Sequence, residues 1–157
     1  RVLEEGDLMA SCSYVVYRGY WCHGHRAGTL GRPSETLERM NAIARGSMDA
    51  GLANMKPGVP VGRVAKAMHE YLAEHGIHVQ KGGRVGHGIG MDYGERPSPT
   101  ESNETLLQAG MTIAIHAACP LPDSRKIGVP LGDVCHVTAD GPELLMRFPR
   151  TPFLAGQ

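Results

Sequence analysis

The sequence predicts one α/β domain of the mixed α+β type, and three observations predict it. Residues 8–17 and 20–26 read as two strands joined by a tight turn, an antiparallel hairpin. Leu37 to Met55 and Val61 to Leu72 carry apolar side chains at helical spacing. Two further runs, Thr112–Ala118 and Asp133–Thr138, read as strands that follow a loop rich in breakers. A chain of 157 residues is long enough to bury a core of its own.

Each element has a local cause. Gly6-Asp7 opens the first strand, Leu8 to Tyr17, and Arg18-Gly19 turns it into Tyr20–Arg26. Period-two alternation puts Leu8, Ala10 and Cys12 on one face, and Trp21, His23 and His25 on one face of the second strand. Gly31-Arg32-Pro33-Ser34 then breaks the chain, with Ser34 as N-cap of the first helix. Leu37, Met40, Ala44, Met48, Leu52 and Met55 form its apolar stripe, and Lys56-Pro57-Gly58 stops it. Such a methionine stripe is core filler. Val61, Val64, Met68, Tyr71, Leu72 and His75 mark a second amphipathic helix closed by Gly76, with His69 and His75 expected in solvent. Ile77–Val79 reads as a short extended piece, and residues 92–103 as loop. A proline-bearing turn from Pro120 to Lys126 leads to the last strand, and Ala139-Asp140-Gly141 turns again. Residues 1–150 are expected to form the domain and 151–157 a tail.

Composition excludes several function classes. The formal net charge is zero, so no nucleic-acid footprint shows. No apolar run approaches the ~20 residues that span a bilayer, and no signal peptide is visible. Cys12, Cys22, Cys119 and Cys135 have no paired spacing, which fits reduced thiols and a cytoplasmic location. The eight histidines point instead to acid–base work or metal binding.

One stretch concentrates that chemistry. His87 lies within Gly86-His87-Gly88-Ile89-Gly90, and glycines on both sides let other groups approach its backbone closely. There is also a faint internal repeat: Gly6 precedes Cys12 by the same interval at which Gly110 precedes His116, each on the first strand of a hairpin. Two such hairpins would place a polar site between them.

At this point the residues resemble a known family. Gly6-Asp7, Gly19-Tyr20, Arg26 and Gly31 are similar to the first hairpin of the pita-bread metallopeptidases, which include methionine aminopeptidase, aminopeptidase P, prolidase and creatinase. Gly86 to Asp92, with Glu95 and Pro97, resembles that family's histidine motif. Gly110-Met111 with Ile115, and Asp133 with Val137-Thr138 and Gly141, resemble its closing strands, and the matches run in order to Pro149-Arg150. The resemblance implies a curved antiparallel sheet backed by helices, with the site in the concavity. It also implies that a segment normally precedes Gly6. The expected partners are therefore a second chain or an N-terminal fragment completing the domain, further copies in a homo-oligomer, and a small-molecule or peptide substrate.

The resemblance further implies a ligand set, and this chain departs from it. Peptidases of the family bind two divalent metals through two Asp, one His and two Glu, and the metals activate water for attack on a carbonyl. The first Asp position is Cys12 here, the second is His23, the histidine is kept as His87, and the two Glu positions are His116 and Gly132. No carboxylate ligand survives, which argues against a dinuclear manganese or cobalt site. With eight histidines and four cysteines among 157 residues, three given positions would all draw Cys or His roughly once in two thousand trials. The site therefore reads as remodelled.

Two chemistries fit the remodelled set. Cys12, His23, His87 and His116 would hold a single softer metal such as zinc, iron or copper. Alternatively no metal binds, and His23, His87 and His116 act as acids and bases with Glu95 and Cys12. His25 shares the face of His23 and is a further acid–base or substrate residue. Arg26 is expected to anchor a carboxylate, Cys22, Cys119 and Cys135 to be buried, and His78 and His136 to be strand residues without a role. The Cys and His replacements favour an enzyme of the creatinase and aminopeptidase P type, a hydrolase or lyase on an amino-acid- or peptide-derived substrate. The missing carboxylates favour a non-catalytic peptide- or protein-binding module.

Overall fold

The computed structural model describes residues 2–79, 82–120 and 128–155. The chain opens with β1 (Leu8–Tyr17) and β2 (Tyr20–Leu30), continues through α1 (Glu35–Ala53) and α2 (Val61–Glu74), and closes with β3 (Gly86–Gly88), β4 (Thr112–Pro120), β5 (Gly128–Thr138), β6 (Gly141–Leu144) and β7 (Phe153–Ala155). Among the described residues all strands join one seven-stranded sheet in the order β1-β2-β5-β4-β3, with β6 beside β5 and β7 beside β2. Every pairing is antiparallel except β2 with β7.

The first hairpin forms as its turn residues dictate. Arg18 at φ 50 and Gly19 at φ 86 both adopt the left-handed backbone of a two-residue turn, and Tyr17 pairs with Tyr20 across it. Ser34 caps α1 by accepting the Leu37 N–H at 3.2 Å. The expected stripe of Leu37, Met40, Ala44, Met48, Leu52 and Met55 is buried throughout. On α2, Val61, Val64, Met68 and Leu72 are buried, and the helix ends in a Schellman motif: Ile77 N–H donates to Leu72 O and Gly76 N–H to Ala73 O. The cap itself is His75, one residue before the glycine that closes the turn. α1 packs on α2 and on β4 and β5. Ile113, Ile115, Leu131, Cys135 and Val137 are among the residues the sheet contributes to that core.

Several expectations are corrected. β2 runs on to Leu30, β4 to Pro120, and β5 begins at Gly128, because both hairpins continue their pairing beyond the apolar runs. The expected tail contributes β7, which pairs with Gly28–Leu30 of β2. Gly141 ends the turn by starting β6. His69 is buried, not solvated, because it falls four and eight residues after Ala65 and Val61 on the packed face; its Nδ1 lies 2.5 Å from Glu101 Oε1. His136 lies on β5, 3.5 Å from Glu143, whereas His78 is exposed and lies outside any strand. The expected turn at 120–126 lies, after Pro120, outside the described residues. Among the described residues no helix is long and apolar enough to cross a membrane.

Candidate metal centre

The face of the sheet away from the helices collects the chain's reactive side chains, and strand register is what collects them. Cys12 pairs with His25, His25 with Gly132, and Gly132 with His116, so one row crosses β1, β2, β5 and β4. One step along that face, His87 pairs with Ala114, the residue two before His116. His23 stands two before His25 on the same face and opposite Tyr14.

The glycines flanking His87 are required by close backbone approach. A Cβ on Gly86 would lie 2.0 Å from Ala114 O, and one on Gly88 would lie 2.6 Å from Arg96 O. The histidine motif is therefore a strand pressed between β4 and the loop after it. Trp21 N–H donates to Gly90 O at 2.7 Å, tying the motif to β2 as well.

Four imidazoles meet above this frame. His23 and His87 stack with ring centroids 5.1 Å apart, and His25 stacks on His116 at 4.5 Å. His23 Nε2 and His116 Nε2 are 3.3 Å apart. Tyr14 stacks on the other side of His23, and Tyr93 closes the rim beside His23 and His87. His87 Nδ1 lies 2.8 Å from Gly88 O. A carbonyl can only accept, so Nδ1 carries the proton and Nε2 presents a lone pair. That Nε2 is buried without a partner among the described residues, as are His23 Nδ1 and His25 Nε2.

Burial, and after it the imidazoles of His25 and His87, pulls His23 down to about 4. Burial likewise takes His116 down to about 3, with His25, His23, His87 and Arg84 adding to it. His25 is lowered by burial, His87 and Arg26. These rings are neutral near pH 7, the form in which imidazole is a metal ligand. The Tyr14 hydroxyl is held protonated by hydrogen bonding to Cys12 and Tyr93.

The expected site residues divide into those that meet and those that do not. His23, His87 and His116 present ligand atoms all within 4.8 Å of one another. Cys12 does not complete that set: its close partners are His23 and His25, again within 4.8 Å. The reason is topological. Cys12 and His116 stand three strands apart in one row, and each strand adds about 4.8 Å. Glu95 does not join the histidines either. Its Oε1 accepts the Asp92 N–H at 2.8 Å and its own N–H donates to Gly88 O, so it braces the motif from the loop. Arg26 anchors a carboxylate as expected, 2.6 Å from Asp133 Oδ1. Cys119 and Cys135 are buried, with thiols pushed up by desolvation to about 11 and about 12, while Cys22 is half-buried. Tyr14 and Tyr93 were not expected at the site. Tyr14 carried a signal, two residues after Cys12 on the same strand face; Tyr93 sits in a loop, where no period exists to read.

A sheet with helices on one face and a histidine-centred site on the other is the pita-bread class of fold. The chain belongs to metallopeptidase family M24, whose profile matches residues 1–139. It is 27% identical over 149 residues to the Xaa-Pro dipeptidase of Pyrococcus horikoshii, covering 94% of this chain and 42% of that protein. It is 26% identical over 151 residues to the uncharacterized peptidase YqhT of Bacillus subtilis, covering 96% and 42%. Among solved structures, dipeptidase PepE from Mycobacterium ulcerans superposes with a TM-score of 0.88 at 28% identity, over 98% of this chain and 41% of that one. Methionine aminopeptidase from Rickettsia prowazekii, at 21% identity, shares the fold with a TM-score of 0.76, over 90% and 65%. The chain thus spans about two fifths of the length of the peptidases it matches.

The donor set tests the family's metal. Among the described residues both close groups contain only Cys and His, with no carboxylate in either. Hard ions such as manganese and magnesium favour oxygen donors, so an oxygen-rich pair does not fit here. A softer ion fits on the orphaned lone pair of His87 and on the His23 and His116 nitrogens. Two nitrogens each about 2.0–2.1 Å from a tetrahedral ion stand about 3.3 Å apart, the spacing His23 Nε2 and His116 Nε2 already have.

Proposed function

We propose that this chain is a hydrolase of the creatinase and Xaa-Pro peptidase type, acting on a peptide- or amino-acid-derived substrate, with a transition metal on His23, His87 and His116. The observation that carries the reading is His87. Its Nδ1–H is fixed on Gly88 O, and its buried Nε2 has no partner among the described residues. That is the arrangement in which an outer hydrogen bond sets the tautomer and aims the other nitrogen at a metal. Membership of the family, and likeness to an Xaa-Pro dipeptidase, support hydrolysis near a prolyl or similar amide over other reactions.

A zinc, iron or copper ion bound there would supply Lewis acidity toward a carbonyl group and ease deprotonation of water. The chain's own residues do the rest. The His23 and His116 imidazoles, neutral at physiological pH, provide lone pairs, and the Gly88 carbonyl accepts the His87 Nδ1–H and so fixes its tautomer. Tyr14, protonated and half-exposed at the rim, offers a donor to a substrate oxygen. Tyr93 and Trp21 meet edge to face and form an apolar wall beside it.

Elemental analysis of the purified protein, paired with turnover of an Xaa-Pro dipeptide panel, tests the proposal. Stoichiometric soft metal and measurable hydrolysis are expected, and His87→Ala should lose both. Metal-free protein that binds peptides equally well with and without His87 would replace this reading with the binding module.

A further inference from the structure

We propose that the groove between α1 and β7 is a second binding site, one that holds an extended tripeptide by its two free termini. It lies beside the helix that covers the other face of the sheet from the histidines, and it does not depend on the metal reading above.

The groove encloses about 410 Å³, with Glu38, Asn41, Ala42 and Arg45 of α1 on one side and Pro152 and Leu154 on the other. Asn41 is the most buried of these residues, only 3% exposed. Its side-chain amide nevertheless makes no hydrogen bond among the described residues, and the surface it keeps opens on the groove. Packing alone does not call for such a group. Leu37, Met40, Ile43, Ala44 and Met48 fill the neighbouring buried positions of α1. The helix's other buried polar side chain, Ser47, has a partner, donating to Met68 O at 3.1 Å. An amide buried without one destabilises the fold, so its presence here points to a ligand that supplies the missing bonds.

The charges beside Asn41 say which ligand. Glu38 and Arg45 are both exposed, and neither has an ion-pair partner among the described residues. Seven residues make almost two full turns, which puts the two on one line of the helix about 10.5 Å apart along its axis. Glu38 suits an ammonium group, and Arg45 a carboxylate held by two N–H groups. Between them the Asn41 amide, which both donates and accepts, matches a peptide group. Three residues of extended chain span about 10–11 Å, so a tripeptide fits the interval and a single amino acid falls short of it. Ala42, Pro152 and Leu154 suit an apolar middle side chain. Among the described residues β7 pairs with β2 alone, and an extended peptide can add to an edge left in that way by main-chain hydrogen bonds.

Titration with the tripeptide Ala-Leu-Ala tests the proposal, followed by backbone amide shifts with a chelator present to stop turnover. Saturable shifts are expected in residues 38–45 and 152–155, and His87→Ala should bind as tightly as the wild type. Glu38→Gln and Arg45→Gln should each weaken binding by about threefold to fivefold. Capping the peptide separates its ends. N-acetylation should cost affinity in the wild type and little more in Glu38→Gln, and C-amidation should do the same with Arg45→Gln. Asn41→Leu should melt at or above the wild-type temperature yet bind the peptide about tenfold more weakly. Should Asn41→Leu fail to fold, Ala42→Trp, at an exposed position, should block the groove instead. Shifts confined to the histidine face and abolished by His87→Ala would overturn the second site and leave the first standing. Caps that cost the same affinity in every variant, or no saturable shift along α1, would overturn it as well.

Discussion

A Cβ at position 132 would begin 2.9 Å from His116 Cδ2 and 3.1 Å from His25 Cγ. The second of these neighbours is close to the backbone and has little room to move. Gly132 is therefore as much a part of the centre as the imidazoles it allows to meet, and putting the family's acid back should damage the site. Gly132→Glu is expected to separate the two rings and weaken cobalt or zinc binding by about tenfold or more. Gly132→Ala should show a smaller loss in the same direction. A competition titration that finds both variants as tight as wild type would refute this. In the sequence, residue 132 is legible only as a lost ligand, because its use as space depends on which strands neighbour β5. The histidines themselves were legible one by one. Their division around His23 was not, since it comes from the strand order that leaves Cys12 three strands from His116.

Among the elements, β3 does most with least: three residues place His87 against β4, and its backbone must lie within contact distance of Ala114 O. Gly86→Ala sets a methyl group 2.0 Å from that oxygen, so the strand has to move away. Overpacking of this kind costs about 1–3 kcal/mol or more. The expected outcome is faster hydrogen exchange at His116 N–H, which donates to Val85 O, and at Ile89 N–H, which donates to Thr112 O. Exchange at both amides as slow as in the wild type would count against the pressed-strand account. The first hairpin and both helices could be read from the sequence because turn residues, caps and apolar periods are local signals. β3 and β7 could not, being three residues long and stabilised by partners remote in the chain. His69 is a different case: its spacing from Val61 and Ala65 is a local signal for the packed face, and only its partner Glu101, 32 residues away, is remote.

At the scale of the whole molecule, the two hairpins that carry the donors are joined through β2 and β5, which share a single paired position, His25 with Gly132. Arg26 reinforces that junction. Its guanidinium donates to His25 O, Gly132 O and Asp133 Oδ1, and reaches Phe148 O and Pro149 O in the segment before β7. Asp133 is 1% exposed and its other oxygen, Oδ2, already has no partner among the described residues. Removing Arg26 would leave a buried carboxylate uncompensated, which costs about 3–5 kcal/mol. For a domain of this size each kcal/mol lowers the melting temperature by about 2–4 °C. Arg26→Leu should therefore melt roughly 6–20 °C below the wild type, and should bind less metal because the row bearing His25 and His116 loses its register. Replacing both partners removes the stranded charge, so Arg26→Leu with Asp133→Leu should recover most of the lost stability. Metal binding should recover less, since the bonds to His25 O and Gly132 O are not restored. Thermal melts and metal content measured side by side decide the matter: a single variant that melts with the wild type, or a double variant no more stable than the single, would mean that the hairpins are held together by something other than this ion pair.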